Sequence, residues 1–288
     1  HEKEHIVFNG SLRSTDLEVP YFTNRAFQYG DGVFESVRVV NGKPWFLQGH
    51  LQRMNEGLQK LKIDSGDALN AAKIESEITD LLAAKGISKG GRMRITAFRE
   101  RGGFYTPESD QVSYIIQAAP YEDNEYCINR EGITVDLYPD IKKNYSPLTP
   151  YKTLNTQVYI MAALWAKEKG MDDALLQNDS FGVLESTNSN LFIVCNGVLY
   201  TPAITDGCLA GTMRMQIINL AIENEIKVYE CGITPQNLLT ADEVFLTNAV
   251  RGIQWVGSYK TKRYFNTIAR KLVDMLNRKI LTSEPQEV

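Results

Sequence analysis

Residues 140–154 read DIKKNYSPLTPYKTL and separate a predicted strand from a predicted helix. Pro147 and Pro150 disfavour regular structure here, so we expect a loop. This loop brings Lys152 to a point just before helical spacing begins near Thr156. Most loop lysines are solvated, so the residues that accompany Lys152 must decide whether it has a function.

Tight hairpins are predicted on both sides of this loop. Asn-Gly occurs at residues 9–10, 41–42 and 196–197, each time between apolar or alternating runs, and this dipeptide favours two-residue hairpin turns. The clearest pairs of strands are residues 36–40 with 43–47, and residues 191–195 with 198–201. Antiparallel sheet is therefore expected in both halves of the chain.

Helices and strands alternate along the chain. Helical spacing occurs at residues 51–61, 71–85, 158–169 and 213–225, and strand patterns occur at 92–98, 112–118 and 133–137. A polar stretch at residues 120–125 is the predicted domain boundary. We therefore predict an α+β fold with mixed sheets, a smaller N-terminal α/β lobe at residues 1–121 and a larger C-terminal lobe at 122–288. The tail, residues 283–288, is predicted to be disordered.

Composition excludes several classes of function. The 288 residues include 31 basic and 35 acidic ones, and the basic residues are scattered, so no nucleic-acid partner is expected. No apolar run approaches the length of a membrane helix. The cysteines are expected to be reduced thiols of a cytoplasmic protein, since no CxxC pair or signal peptide is present. With three histidines in the chain, neither a metal site nor a Ser-His-Asp triad is predicted.

A series of motifs accompanies Lys152 in a fixed order. Asn155 follows it, then ESTNSNLF at residues 185–192, then GTMR at 211–214; YGDGVFESVR at 29–38 and HLQRM at 50–54 precede it. This order and spacing resemble the class IV aminotransferases, which are fold-type IV pyridoxal-phosphate enzymes. Members include branched-chain aminotransferase, D-amino-acid aminotransferase and aminodeoxychorismate lyase. The resemblance spans nearly the whole chain.

The resemblance implies pyridoxal 5'-phosphate as cofactor and Lys152 as its covalent attachment point. A lysine amine forms a Schiff base with the cofactor aldehyde, is displaced by the substrate amine and then moves the substrate proton. The resemblance also implies a homodimer with its active site in an interdomain cleft, where small amino acids and 2-oxo acids are the substrates.

The ring nitrogen and the phosphate of the cofactor require different partners. A carboxylate beside the ring nitrogen keeps it protonated, and the resemblance gives this role to Glu185, with Asn190 supporting it. The phosphate needs a guanidinium and the amides of a helix N-terminus. The resemblance supplies a phosphate cradle made of Arg53, Gly211, Thr212, Met213, Asn248 and Ala249.

The resemblance also points to residues that would contact the substrate. Arg94, on the strand at residues 92–98, resembles an arginine that branched-chain aminotransferases place near the substrate carboxylate. Tyr29, Phe34 and Glu35 resemble residues on the substrate side of the first lobe, although Phe34 is equally compatible with a place in the core. Tyr151 and Trp255 are further aromatic candidates for the pocket wall.

Two positions leave the reaction open. Branched-chain aminotransferases commonly have Gly-Thr-Ala where this chain has Asn248-Ala249-Val250, and Asn-Tyr where it has Asn155-Thr156. We favour a transaminase for a small amino acid; the alternative is 4-amino-4-deoxychorismate lyase, since both reactions begin with loss of the same α-proton. A silent cofactor carrier, or a protein that binds another phosphate ligand, is the alternative from a different class.

Overall fold

A computed structural model describes residues 4–15 and 21–282 of the chain. Within these ranges the chain folds into two compact units. The first unit comprises the described residues up to Glu125 together with the segment Tyr151–Asn155. The second comprises Tyr126–Pro150 and the described chain from Thr156 onward. None of the helices in the described ranges is long and apolar enough to cross a membrane.

The first unit contains one antiparallel six-stranded sheet, in the order β2-β1-β6-β5-β3-β4. Its strands are β1 (His5–Phe8), β2 (Ser11–Ser14), β3 (Gly32–Val40), β4 (Lys43–Pro44), β5 (Gly91–Arg99) and β6 (Val112–Pro120). Its helices are α1 (Arg25–Tyr29), α2 (Leu47–Lys60) and α3 (Ala71–Ala84), after a short 3-10 helix at Tyr21–Thr23.

Strand alternation places the core of the first unit on one face of its sheet. Val33, Val37 and Val39 of β3 are buried there with the apolar sides of α2 and α3. Phe34 and Ser36 lie on the opposite face and are only partly buried. The sheet therefore has one face packed on helices and one face that remains available for polar side chains.

The second unit contains a mixed nine-stranded sheet, because β7 pairs in parallel with β8 and β14, and β11 in parallel with β12. Its strands are β7 (Ile133–Leu137), β8 (Asp173–Gln177), β9 (Val183–Ser186), β10 (Asn190–Cys195), β11 (Val198–Thr201), β12 (Val228–Glu230), β13 (Glu243–Asn248), β14 (Gly252–Tyr259) and β15 (Lys262–Arg263). Its helices are α4 (Gln157–Glu168), α5 (Thr212–Glu223), α6 (Pro235–Thr240) and α7 (Thr267–Thr282), with a 3-10 helix at Ile204–Asp206.

Most of the predicted elements are present. All three Asn-Gly hairpins are confirmed, and Asn9, Asn41 and Asn196 adopt positive φ as such turns require. The α+β class with mixed sheets is confirmed as well. The strand predicted at residues 43–47 is wrong beyond Pro44, because Phe46 adopts a left-handed conformation and α2 begins at Leu47. Helices α6 and α7 are additions to the prediction.

The compact units differ from the predicted lobes at two places. Residues 122–125 belong to the first unit, and so does the segment that contains Lys152. The predicted division at residue 121 stays a prediction. Cys195, Cys208 and Cys231 are thiols in the structure, and the expected reduced state of the protein stays a prediction. The tail predicted to be disordered lies outside the described residues.

Candidate active site

The segment that contains Lys152 is held against β3 by main-chain hydrogen bonds. The Phe34 N–H donates to the Lys152 carbonyl at 2.9 Å, and the Leu154 N–H donates to the Gly32 carbonyl at 3.0 Å. Thr153 forms an antiparallel bridge with Val33. The loop predicted from the two prolines therefore ends in a strand-like piece, which fixes the backbone of Lys152.

The Lys152 side chain lies over the ring of Phe34, with Nζ 4.6 Å from the ring centroid. Burial lowers the pKa of Lys152 to about 8, and the positive charge of Arg53 adds to this effect, while Glu35 opposes it. Arg94 and Arg92 lower it further. At pH 7 about one-tenth of the amines are then neutral, far more than for an ordinary lysine, so the amine can act as a nucleophile.

A buried carboxylate lies close to this lysine. Arg53 donates from Nε to Glu35 Oε1 at 2.7 Å and from Nη2 to Oε2 at 2.5 Å, and His50 Nδ1 lies 2.7 Å from Oε2. Burial alone raises the pKa of Glu35, but Arg53 and His50 bring it down to about 2. Burial also lowers the pKa of His50, against the opposing effect of Glu35. We call Lys152, Glu35, His50 and Arg53 the lysine cluster.

Strand alternation separates two of the predicted substrate residues. Phe34 and Glu35 are neighbours on β3, so their side chains point to opposite faces of the sheet. Phe34 lies on the face with Lys152, whereas Glu35 is 1% exposed and engaged by α2. Glu35 thus supports Arg53 and His50, and its predicted place on the substrate side stays a prediction.

Two other predicted substrate residues lie in the first unit. Arg94 is half-buried; its Cζ lies 4.0 Å from the Phe34 ring centroid and its Nε donates to Thr96 Oγ1 at 3.2 Å. It shares the Lys152 side of the sheet, which agrees with a role near a substrate carboxylate. Tyr29 ends α1, is 38% exposed and lies under the guanidinium of Arg25.

A second buried carboxylate, Glu185, lies in the second unit. Its Oε2 accepts from Lys143 Nζ at 2.5 Å and from the Tyr159 hydroxyl at 2.9 Å, and its Oε1 accepts from the Leu209 N–H at 2.8 Å. Burial, and then the charge of Glu185, raise the pKa of Tyr159 far above its usual value, so Tyr159 stays a donor. We call Lys143, Tyr159 and Glu185 the glutamate cluster.

Strand register connects Glu185 to the start of α5. Glu185 on β9 pairs with Asn190 on β10, and the Asn190 side chain donates to the Leu209 carbonyl at 2.8 Å. Gly211 is the N-cap residue of α5, and a Cβ there would lie 1.9 Å from Asn190 Oδ1. Only glycine therefore lets the backbone approach Asn190 at this helix N-terminus.

The predicted phosphate cradle has polar surroundings at this helix start. Thr247 on β13 pairs with Asn190, and its buried hydroxyl has no hydrogen-bond partner among the residues that the structure describes. The amides of Thr212 and Met213 open α5 after Gly211, which has no side-chain cap. An anion at this N-terminus would receive helix amides and their positive dipole end.

The turn at residues 248–251 is built without a threonine. Asn248 Oδ1 accepts from the Val250 and Arg251 N–H groups at 3.1 and 2.8 Å, and Asn248 Nδ2 donates to Ser189 Oγ at 3.0 Å. The Ala249 carbonyl accepts from the Tyr126 hydroxyl at 2.7 Å. The Asn248 side chain thus shapes this turn.

Four functional candidates were not predicted from the sequence: His50, Lys143, Tyr159 and Thr247. A signal for His50 existed, because residues three apart on a helix share a face and His50 stands three before Arg53. Lys143, Tyr159 and Thr247 meet their neighbours only through tertiary structure. Trp255 is partly buried and donates to the Asn129 carbonyl at 2.9 Å, and Tyr151 packs beside Gly57. The place of these two aromatics in a pocket wall stays a prediction.

Known proteins of one family are similar to this chain over most of its length. A family model described as amino-transferase class IV matches residues 32–259. D-alanine aminotransferase of Bacillus licheniformis is 27% identical over 249 residues, which is 84% of each chain. Aminodeoxychorismate lyase of Bacillus subtilis is 26% identical over 252 residues, 85% of this chain and 83% of the relative.

Similarity extends to solved structures. The crystal structure of branched-chain aminotransferase from Thermoproteus uzoniensis with norvaline superimposes with a TM-score of 0.88 at 24% identity. The match covers 97% of this chain and 95% of that one. At this identity the match shows a shared fold.

Proposed function

The chain belongs to the class IV aminotransferases, a family of pyridoxal-phosphate enzymes, and from this premise we propose that it transfers an amino group between a small amino acid and a 2-oxo acid. The observation that supports this proposal best is the placement of the Lys152 amine, which lies over the Phe34 ring on a segment that main-chain hydrogen bonds fix to β3. Transamination needs one base that removes a proton from the substrate and returns it at another atom.

The residues present fit the cofactor. Lys152 supplies an amine for covalent attachment, and Glu185 supplies a carboxylate for the ring nitrogen. The start of α5 supplies amides at Gly211, where a larger residue would have to displace the Asn190 side chain, and the buried Thr247 hydroxyl, unpartnered among the described residues, supplies a polar atom next to Asn190. These three sets of donors match the aldehyde, the ring nitrogen and the phosphate.

When bound, the cofactor supplies an electron sink for the carbanion that forms at the substrate α-carbon. Lys152 is the proposed base for the α-proton, and its low pKa keeps part of it neutral and ready to accept. The lysine cluster supports this role, since the Glu35 carboxylate fixes the Arg53 guanidinium, whose positive charge helps to lower the pKa of Lys152. We assign Arg53 a place in the phosphate cradle, with Glu35 orienting its guanidinium.

We propose that Arg94 binds the substrate carboxylate. It lies on the same sheet face as Lys152, half-buried over the Phe34 ring, and a half-buried guanidinium pairs strongly with a carboxylate. The Phe34 ring gives both cationic side chains one apolar surface to lie on. Tyr29 is assigned to the same substrate side.

A lyase acting on 4-amino-4-deoxychorismate is the second candidate. The turn at Asn248 favours it, because Ala249 offers no hydroxyl where branched-chain aminotransferases place a threonine. Lys152 would remove the same α-proton in both reactions. In the lyase the bond to the β-substituent would then break, and this group would leave as enolpyruvate and take up a proton to give pyruvate.

Both reactions are measurable on the cofactor-loaded protein. The transaminase proposal predicts a 2-oxo acid from at least one amino acid in a survey of L- and D-donors. It also predicts that aminodeoxychorismate is not turned over faster than the best of these amino donors. Pyruvate from aminodeoxychorismate, with no 2-oxo acid formed from any amino donor, would overturn the transaminase and establish the lyase.

We also propose a homodimer. Ile160, Met161 and Leu164 on α4 are 54%, 47% and 49% exposed, and a subunit contact on this helix would remove them from water. Light scattering coupled to gel filtration tests the mass. The thiols at Cys195, Cys208 and Cys231 support the proposed reducing, cytoplasmic location.

A further inference from the structure

Lys143 is the one charged side chain that contacts Glu185 in the part of the chain that the structure describes. Its side chain is 12% exposed, and that of Glu185 is 3% exposed, so water screens their attraction only weakly. The Lys143 N–H donates to the Gln177 carbonyl at 2.9 Å, which fixes its backbone at the end of β8. The ammonium is also held 5.3 Å from the Tyr159 ring centroid.

The two oxygens of Glu185 differ in their neighbours. Oε2 accepts from the Lys143 ammonium and from the Tyr159 hydroxyl, whereas Oε1 accepts, among the residues described, from the neutral Leu209 N–H alone. A carboxylate has about four acceptor positions, so one of them remains for a further donor. The cation therefore contacts Oε2, and the acceptor position that remains for a further donor is on Oε1.

We propose that Lys143 is a positioning residue that shares the negative charge of Glu185 and so limits how strongly this carboxylate binds a protonated ring nitrogen. This inference rests on the proposed role of Glu185. A carboxylate that already has a cation 2.5 Å away stabilises a second cation less than a carboxylate without one. Lys143 thereby lowers the fraction of bound cofactor whose ring nitrogen is protonated. That fraction controls how much electron density the ring withdraws from the substrate.

The test compares two cofactors on the apoprotein. Equilibrium dialysis gives the dissociation constants of pyridoxal phosphate and of its 1-deaza analogue, in which a carbon replaces the ring nitrogen. Their ratio isolates the contribution of the ring nitrogen, because both compounds bring the same aldehyde and phosphate. We expect the wild type to prefer pyridoxal phosphate.

Replacing Lys143→Gln keeps a hydrogen-bond donor and removes the charge. We expect the preference for pyridoxal phosphate over the analogue to rise by about tenfold, since the ring nitrogen becomes the sole cation at Glu185. Lys143→Arg keeps the charge and should keep the wild-type preference. Lys143→Met, with a chain of similar length and no charge, gives the same test if the glutamine variant does not fold.

Two matched controls separate charge from structure. Tyr159→Phe removes a neutral donor from the same oxygen and should change the preference by less than about threefold, because no charge is lost. Lys142→Gln removes a neighbouring ammonium that contacts Gln177 and should leave the preference unchanged. Circular dichroism checks that each variant is folded.

The outcomes distinguish the inference from its premise. A wild type with equal affinity for both cofactors overturns the role of Glu185, and this inference with it. A wild type that prefers pyridoxal phosphate, combined with a Lys143→Gln variant in which both affinities change in parallel or the preference falls, overturns the role of Lys143 alone. A purely structural lysine gives that parallel change.

Discussion

The lysine cluster and the glutamate cluster each contain one buried carboxylate with three hydrogen-bond donors, yet the two carboxylates are suited to different tasks. Both oxygens of Glu35 accept from the Arg53 guanidinium, a bidentate geometry that is rigid and electrostatically saturated. Glu185 has a point cation on one oxygen and a neutral amide on the other. The number of donors is therefore the same for both carboxylates, and the distribution of charge over the two oxygens is what distinguishes Glu185, the carboxylate proposed to meet the ring nitrogen, from Glu35.

The largest expected effect breaks the lysine cluster at its reactive member. Lys152→Ala should abolish the absorption band of the covalently held cofactor and lower turnover by about 10⁴-fold, since the proposed function gives this one amine both attachment and proton transfer. Absorption spectra and steady-state rates of the reconstituted variant check this. Lys60→Ala, an exposed lysine of α2, is the control. A Lys152→Ala variant that keeps both properties removes the lysine from the chemistry.

The next effect tests the supporting carboxylate. Glu35→Gln leaves the buried Arg53 without its ion pair, which should lower the free energy of unfolding by about 3–5 kcal/mol in urea titrations. Because the pKa of Glu35 is lowered from 4.5 to about 2 in the folded chain, its stabilisation is complete above pH 4.5 and is lost as the pH falls toward 2.

The difference between wild type and Glu35→Gln should therefore shrink over that range of pH. Glu56→Gln changes an exposed residue on α2, the helix that carries Arg53, and should change stability by less than about 1 kcal/mol. A Glu35→Gln variant as stable as the wild type, or a difference that grows with acid, contradicts the supporting role.

A smaller effect tests the second carboxylate. Glu185→Gln should keep the covalently held cofactor but lower turnover on the order of 10²-fold, because a neutral amide no longer keeps the ring nitrogen protonated. Absorption spectra measure how much cofactor the variant retains, and steady-state rates measure its turnover. Glu168→Gln, exposed on α4, serves as control. Unchanged turnover in Glu185→Gln would make the two carboxylates equivalent supports.

The smallest effect sharpens the description of Lys152 itself. The rate constant for attachment of the cofactor to the apoprotein should rise by about tenfold from pH 7 to pH 9 and level off above the pKa of about 8, since only the neutral amine attacks. Stopped-flow absorbance follows the attachment. A rate that keeps rising to pH 10 indicates a lysine with an ordinary pKa.

Local signals in the sequence predicted much of this fold. The Asn-Gly hairpins and the helix at residues 71–85 depend on turn chemistry and spacing that are readable without neighbours. Helix α7 was also readable, because Ala269, Leu272, Val273, Leu276 and Ile280 are spaced for one buried face. Helix α6 has only six residues and one capping box, too short for a periodic signal.

The candidate site was predictable only where it resembles a family motif. Lys152 and Glu185 could be named because their motifs are local, whereas Lys143 reaches Glu185 across 42 positions of the chain and has no motif of its own. The contact of Glu35 with Arg53 and His50 was partly readable from local spacing. Strand alternation on β3 separates the Glu35 side chain from that of Phe34, so the two neighbours meet different groups.

Within the described residues, the first unit is built from two separate stretches of the chain. Tyr151–Asn155 belongs to that unit, although residues 126–150 before it belong to the other. A fragment that ends at Glu125 would therefore leave the Phe34 N–H and the Gly32 carbonyl without their partners. Such a fragment lacks one short strand-like segment. We expect a synthetic peptide spanning residues 146–158 to bind along β3, where that segment lies in the whole chain. Fragment complementation could then deliver the reactive lysine in trans.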